Sequence, residues 1–486
     1  MKKIVTLLIL ALLVSFVAAC NREDSEDDYT PEETNAILTP PTDAAPPTVE
    51  QYPEKEEEPS LFEARDLGRE IRVACWWQYM SPTGEDPPDP AVVSNYVIYR
   101  MRYDNQVALE EAFNVTFTNI VMPGGYILPN LTSSVLAGDP FAELVMIPRD
   151  GMIAAITGDL IQNAENFASP TSDLMTNQNF VEQRVSLFGN LYGFGRADLR
   201  RHGLGLGVNL DLINSIGAPN PVDLWNDGQW DWEAMRNIMA LGTLDTTGDG
   251  AIDQFGLSGY MGSIIRSFIA SNSGVIVCED TLQFAMEDHR TLEALEFLGD
   301  IFANGWWYYD RYGDNIMGDW NRNTWIHREG RSVLFPIQSW QVDEQPMDFN
   351  YTIVPWPAGP NGGRYHTIDG FYQAMTIPFG VQNPEDVFML YEELQSWARS
   401  EPDLRHEGVY GHMRRLWHTE DCVQRVLHVI SARDNEKFDL GFAVPELTWI
   451  FGTFAHYLFH GTQTPMQIIE SQRPRRQEMI DNAFGG

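Results

Sequence analysis

The residues best spaced for chemistry lie at Asp245 to Gly256, DTTGDGAIDQFG. Side-chain oxygens at Asp245, Thr247, Asp249 and Asp253 occupy positions 1, 3, 5 and 9 of a twelve-residue loop, and Ala251 at position 7 would present its carbonyl. Hard oxygens at that spacing are what a short loop needs to wrap a calcium ion, and Gly250 stands at position 6, where the sharp turn demands glycine. Position 12 departs from the pattern, being Gly256 and not a bidentate Glu. The competing reading is a Gly/Asp turn between a helix and a strand. In either reading the loop is structural.

Cys20 is the second residue with chemistry of its own. Lys2 and Lys3 give a charged start, Ile4 to Ala19 is almost wholly apolar, and Val17-Ala18-Ala19 are small. Together these make a secretory signal, and the apolar run is short for the ~20 residues that span a bilayer. A cysteine directly after the cleavage point resembles a bacterial lipoprotein. That resemblance implies a mature chain lipidated at Cys20 and tethered on the outer side of the cell membrane. Residues 21–61 form an acidic, Pro-rich linker. It lacks the apolar residues to offset its ordering entropy and should be disordered and extended. Cys75, Cys278 and Cys422 are far apart with no C-x-x-C, which indicates neither a zinc site nor a disulfide framework and leaves a single bridge open.

The formal net charge of −37 argues against nucleic acid, whose phosphates call for Lys and Arg. No Ser/His/Asp signature, HExxH or P-loop is present, so no catalytic residue is indicated. Leu447 to Phe459 is the most apolar later run, but it is short and interrupted by Gly452 and His456, and it reads as core. The chain beyond the linker is long enough for two lobes.

The elements that must position any site alternate. Strands are expected at Arg69 to Cys75, Val115 to Val121 and Glu143 to Ile147, with helices at Val97 to Phe113 and Tyr126 to Ala137 between them. Such alternation means a largely parallel sheet covered by helices, and ligands bind beyond the carboxyl ends of its strands. That rule points to Trp76, Trp77 and Asp139. Further strands are expected at Gly203 to Asn209, Gly330 to Pro336, Tyr351 to Pro355 and Gln373 to Pro378. Helices are expected at Asp211 to Ile216, Trp232 to Leu241, Thr291 to Asn304, Pro384 to Arg399 and from Thr464 onward.

The order of several motifs resembles the extracellular solute-binding proteins of ABC importers, the carbohydrate-uptake class that includes maltose-binding proteins. The motifs are IRVACWW at Ile71 to Trp77, Ala137-Gly138-Asp139-Pro140, GVNLDL from Gly207, GQWDWEA from Gly228, Gly330 to Trp340, VPWPAGPNG from Val354, and Gly370 to Pro378 followed by Asn383-Pro384-Glu385. The resemblance implies an α/β, two-lobe periplasmic-binding-protein-like fold of type II, each lobe a mixed, largely parallel sheet flanked by helices around an interlobe cleft. Lobe 1 would comprise residues 62–195 and 366–405, and lobe 2 residues 196–365 and 406–486. It implies that Gln254, at position 10, supplies the calcium loop's last oxygen. It also implies a monomeric receptor that is not an enzyme, hands a carbohydrate to ABC importer permease subunits, and meets the membrane through its lipid anchor only. Sugars stack their C–H faces on aromatic rings, so Trp76, Trp77, Trp340, Phe371 and Tyr372 are expected at the cleft, with Asp139 as hydroxyl acceptor. The cluster Trp306 to Asp310 is read as lobe packing before a second stacking platform. The alternatives are a receptor for a peptide or polyol, and an exported glycoside hydrolase, which would need two carboxylates ~5 to 10 Å apart.

Overall fold

The computed structural model describes residues 62–76, 81, 83, 96–176, 185–187, 189–195, 203–278, 280–309, 320–337, 347–362, 365, 367–369, 373–397, 436–437, 444, 447, 454 and 463–484. Cys20, Cys422 and residues 1–61 lie outside them.

The first lobe begins with β1 (Arg69–Cys75), α1 (Tyr96–Phe113) and β2 (Val115–Val121). It continues through α2 (Gly124–Leu136), β3 (Leu144–Pro148) and α3 (Arg149–Thr157). β1 and β2 are parallel from Arg69↔Val115 to Cys75↔Val121, and β3 lies parallel on the other side of β1. Helical crossovers make this parallel pairing possible. Gly138, at φ +74°, takes the left-handed turn that stops α2. β4 (Val185–Leu187) and β5 (Asn190–Gly193) form a hairpin at the end of this stretch.

The second lobe opens with β6 (Gly203–Asn209), α4 (Leu210–Ile216), α5 (Pro221–Asn226) and α6 (Trp232–Gly242). Each helix start is written into the sequence. Asn209, Asn220 and Asp231 accept from the backbone N–H of Leu212, Val222 and Ala234, which satisfies an otherwise orphan donor at each start. Next come β7 (Phe255–Ser258), α7 (Met261–Ser271), the short pair β8 (Val277–Cys278) and β9 (Gln283–Phe284), then α8 (His289–Ala303) and β10 (Trp307–Tyr308). The lobe continues with α9 (Trp320–Arg328), β11 (Ser332–Ile337), β12 (Tyr351–Val354) and β13 (Thr367–Asp369). The chain returns to lobe 1 with β14 (Gln373–Thr376) and α10 (Pro384–Leu394). β15 (Glu436–Lys437) and α11 (Pro465–Phe484) follow.

Lobe 1 is thus a sheet of order β14-β3-β1-β2, with β14 antiparallel to β3. Lobe 2 is a seven-stranded mixed sheet of order β10-β7-β11-β6-β13-β15, with β12 also paired to β6. β13 belongs to this second sheet, so the return crossing falls after Asp369, a few residues later than the sequence suggests. The two crossings run side by side. Phe194 bridges Met375 on the lobe 1 side, and Gly203 pairs with Asp369 on the lobe 2 side.

Several of the described tryptophans build the second core. Trp230 and Trp356 are fully buried, and their indole N–H groups donate to the carbonyls of Pro355 and Leu204 at 2.8 and 3.1 Å. Trp232 stacks on Phe297 at 4.6 Å and 17°. Trp307 is core as well, with Trp306 and Tyr309 packed against it, while Asp310 of that cluster lies outside the described residues. Leu447 and Phe454 are buried in the same core. Cys278 is a buried free thiol, and Cys75 is buried in the lobe 1 core. Among the described residues no helix is long and apolar enough to cross a membrane.

Candidate functional site

The strand registers fix which edges of the two sheets face each other. β14 leaves the crossing at Gln373, opposite Pro148, the carboxyl end of β3. In lobe 2, Ile337 at the carboxyl end of β11 pairs with Gly205 near the start of β6, and β7 and β10 run parallel to β11. Both sheets therefore turn the carboxyl ends of their parallel strands toward the crossings, and the space between them is the cleft where such sheets bind ligands.

On the lobe 1 side, Trp76 follows β1 directly and is half-buried, packed against the clusters on both faces of the sheet. Gly124, at the start of α2, comes close to it: a Cβ there would lie 3.7 Å from Trp76 Cβ and 3.8 Å from Pro148 Cγ. Tyr126 stands in the first turn of α2 and is 62% exposed. Two helices begin at this corner behind prolines. Pro123 precedes α2 and Pro148 precedes α3, and neither offers a side-chain cap. The first N–H groups of a helix lack intrahelical partners, so this corner brings two helix starts without side-chain caps beside aromatic rings, Tyr126 N alone being turned back to the Pro123 carbonyl at 2.8 Å. By contrast α4, α5, α6 and α8 are capped by Asn209, Asn220, Asp231 and Asp288. α10 also lacks a side-chain cap, but it begins at the other end of the lobe 1 sheet.

On the lobe 2 side, β7 ends at Ser258. Gly259 takes φ +135°, and a Cβ there would meet Pro336 Cδ at 2.4 Å, so only glycine lets β11 approach. Tyr260 then stands at the N-cap of α7, a helix also without a side-chain cap bond. Burial pushes its phenol up, and the charge of Arg266 pulls it the other way. Tyr308 ends β10, edge-on to Phe255 at 4.9 Å. Behind this edge His327 is buried, with Nδ1 3.4 Å from Ser258 Oγ.

Of the sequence-expected binding residues, Trp76 lies at the cleft edge. Trp77, Trp340, Phe371 and Tyr372 lie outside the described residues. Asp139 is a correction: it precedes β3 and so stands at the amino edge, away from Trp76. The motif around it is a latch. Arg72 of β1 donates from N, Nε and Nη2 to the Glu143 carboxylate at 2.7, 3.1 and 2.9 Å, and from Nη2 to the Pro140 carbonyl at 2.9 Å. The Glu143 hydrogen bonds raise the guanidinium's affinity for its proton further. Tyr126 and Tyr260 were missed, although each sits within five residues of a strand's carboxyl end, which is the signal that could have found them.

The acidic loop is a self-bonded turn. Asp245 Oδ1 accepts from Gly248 N and Oδ2 from Gly250 N, at 2.6 and 2.7 Å. Asp253 accepts from Thr246 N and Oγ1 and from Thr247 N. These amides hold both carboxyls below their ordinary range, the Gly250 N–H first for Asp245 and the Thr246 N–H first for Asp253. Asp249 Oδ1 accepts from Ala251 N at 2.9 Å. Gln254 is buried, and its amide nitrogen donates to the Gly242 carbonyl at the end of α6. Among the described residues no three His, Cys, Asp or Glu side chains gather as a metal cage. The oxygens of the loop fit a cation only by sharing bonds they already make.

No family model and no curated protein matches the sequence. Solved structures do match over most of the chain. The cyclic α-maltosyl-1,6-maltose binding protein from Arthrobacter globiformis superposes with TM-score 0.60 at 13% identity, covering 85% of this chain and 99% of the other. An ABC substrate-binding protein from Listeria monocytogenes in complex with cycloalternan gives 0.56 at 13%, covering 86% and 99%. An ABC transporter solute-binding protein from Agrobacterium radiobacter in complex with ribitol gives 0.55 at 13%, covering 85% and 99%. The chain has the two-lobe fold of solute-binding proteins, type II in its strand order.

Proposed function

We propose that the chain is an extracytoplasmic receptor that closes on a carbohydrate between its lobes and delivers it, chemically unchanged, to an ABC importer. The observation that carries this reading is the convergence at one cleft of both sheets' carboxyl edges, with Trp76, Tyr126 and two uncapped helix starts on one side and Tyr260 on the other. Rings suit the apolar faces of a sugar, and open N–H groups suit its oxygens. The cycloalternan complex among the fold neighbours supports the ligand class, and the ribitol complex keeps a polyol as the second reading.

The test is a tryptophan-fluorescence titration with a panel of oligosaccharides and polyols. At least one oligosaccharide should shift the signal, and Tyr126→Ala should weaken that binding by about tenfold, as loss of one stacking ring does. Because Tyr126 is largely exposed, the variant should keep the parent's stability. Response to polyols alone would favour the second reading, and turnover of the sugar would overturn both.

The reading includes the lipid tether at Cys20, which keeps receptor near permease while the acidic linker lets it reorient. Cys20→Ser should release the protein from the membrane fraction and leave ligand affinity in solution unchanged. It also keeps Asp245 to Gly256 as a structural calcium loop, supported by its oxygen spacing and by Gly248 and Gly250 at φ +76° and +91°.

A further inference from the structure

The chain that leaves β1 at Trp76 is tied back to the same lobe a few residues later. Ser81 and Thr83 are 2% and 4% exposed. Their hydroxyls both donate to Asn119 Oδ1, each at 2.6 Å, and lie 2.7 Å from one another. Thr83 N donates to Ser81 Oγ at 3.3 Å. From the other side Arg102 of α1, itself buried, donates from Nη2 to the Ser81 carbonyl at 2.7 Å. Ser81 is thus held by β2 through its hydroxyl and by α1 through its carbonyl.

Asn119 is the exposed member of this cluster. It stands two residues before the carboxyl end of β2, in register with Val73 of β1, so the tie is made at the edge that faces the cleft. Its single acceptor oxygen takes a hydroxyl from each of two buried residues. Without it those hydroxyls would keep only each other, and a buried hydroxyl short of a partner is costly. The three oxygens therefore fix where the chain passes. Trp76 lies five residues before Ser81. Its ring packs against the clusters on both faces of the sheet, which holds it from the β1 side. The tie at Ser81 holds the chain on the other side of that ring. Segments that follow the carboxyl ends of strands build the ligand surface in such sheets, and a binding group works only when its supports keep it in one geometry.

We propose that Asn119 is a positioning residue for the cleft: its Oδ1 holds Ser81 and Thr83, and through them it sets the Trp76 ring for the bound molecule. The role in binding rests on the carbohydrate reading, whereas the tie itself does not. The acceptor carries the role and the amide N–H groups do not. A carboxylate of the same shape takes the same two hydroxyls, and an aliphatic side chain of that size takes neither.

The experiment compares Asn119→Asp and Asn119→Leu with the parent in the full chain. Because Asn119 is exposed, both variants should fold. The first measurement is amide hydrogen exchange, which needs no ligand. The peptide carrying Ser81 and Thr83 should exchange faster in Asn119→Leu and at the parent's rate in Asn119→Asp. The second is fluorescence titration with cycloalternan, maltotriose and ribitol. Whichever of these the parent binds, Asn119→Leu should bind it about tenfold more weakly, the scale of one lost hydrogen bond, and Asn119→Asp within about twofold of the parent. Unchanged exchange in Asn119→Leu would overturn the tie whatever binds. Faster exchange with the parent's affinity would make the tie structural only and overturn the role in binding. Equal losses in both variants would make the amide a direct donor to the sugar, which overturns it as well. If the parent binds none of the three, the role in binding falls with the reading it rests on, and the exchange rates alone decide the tie.

Discussion

His327 is 4% exposed, and its ring lies 4.6 Å from Phe335 at 13°, close to face on. Burial drives its pKa down from 6.5 to about 3, with the neighbouring charge of Arg328 adding to the shift. The imidazole is therefore neutral in the folded protein at any ordinary pH, whereas the unfolded chain takes up its proton near pH 6.5. The unfolded state then binds more protons throughout the interval between those values. Stability contributed by the buried neutral ring is complete above about pH 6.5 and is lost as pH falls toward 3, at up to about 1.4 kcal/mol per unit. Ordinary carboxylates titrate below that interval's upper half, so from pH 6 to 5 the change comes mainly from histidines, and the comparison with His327→Gln separates this ring from the other nine and from the raised carboxyl of Glu392. Urea unfolding should show the protein losing stability across that step, and His327→Gln should lose little of it. An equally steep decline in the variant would assign the acid sensitivity elsewhere.

At the scale of elements, much was legible. Arg69–Cys75, Val115–Val121 and Gly203–Asn209 have the bounds the residues imply, and the helices expected at Trp232 and from Thr464 start there, capped by Asp231 and Thr464. α7 was not legible because nearly every one of its residues is buried, so no polar face marks a period. α10 begins at Pro384 as the residues imply, yet it buries Glu392 and Glu393, which only tertiary contacts reveal. At the cleft, one ring of the expected set could be followed, while Asp139 went to the wrong edge because a strand's two ends look alike in sequence.

The loop before β7 joins both lessons. Gly256 read as a missing calcium ligand, but a Cβ there would lie 2.4 Å from Met239 Cα, so the glycine is the close approach of β7 to α6. Gly256→Ala should cost about 1–3 kcal/mol in chemical denaturation with or without calcium, since overpacking is its cause. Asp249→Asn should instead abolish any rise in melting temperature that calcium gives over EDTA, because a bound ion stabilises only the state that binds it. If the parent protein melts at one temperature in both, the loop is a turn and nothing more.

For the whole molecule, two lobes joined by paired crossings would be free to hinge, but α11 reaches across them. It packs against β9 and α8 of lobe 2 and against α3 of lobe 1. It buries Ile468, Ile469 and Ile480, and Thr464 and Gln467 fix its start by exchanging bonds, Thr464 N to Gln467 Oε1 at 2.9 Å and Gln467 N to Thr464 Oγ1 at 3.3 Å. On α3 the side chains divide. Met152, Ala155 and Ile156 join the lobe 1 core, while Ile153, 3% exposed, joins the core of lobe 2. One helix thus contributes to both cores, and unfolding either lobe strips contacts from the other. The described residues should consequently melt together, as a single calorimetric transition. Ile153→Ala removes apolar contacts at that junction and should cost about 2–4 kcal/mol. The loss should appear as weakened coupling, with the transition broadening or splitting while binding at the cleft edge, built from other residues, is kept. A variant that melts lower in one equally sharp step would place Ile153 in an ordinary core and leave the two crossings to couple the lobes.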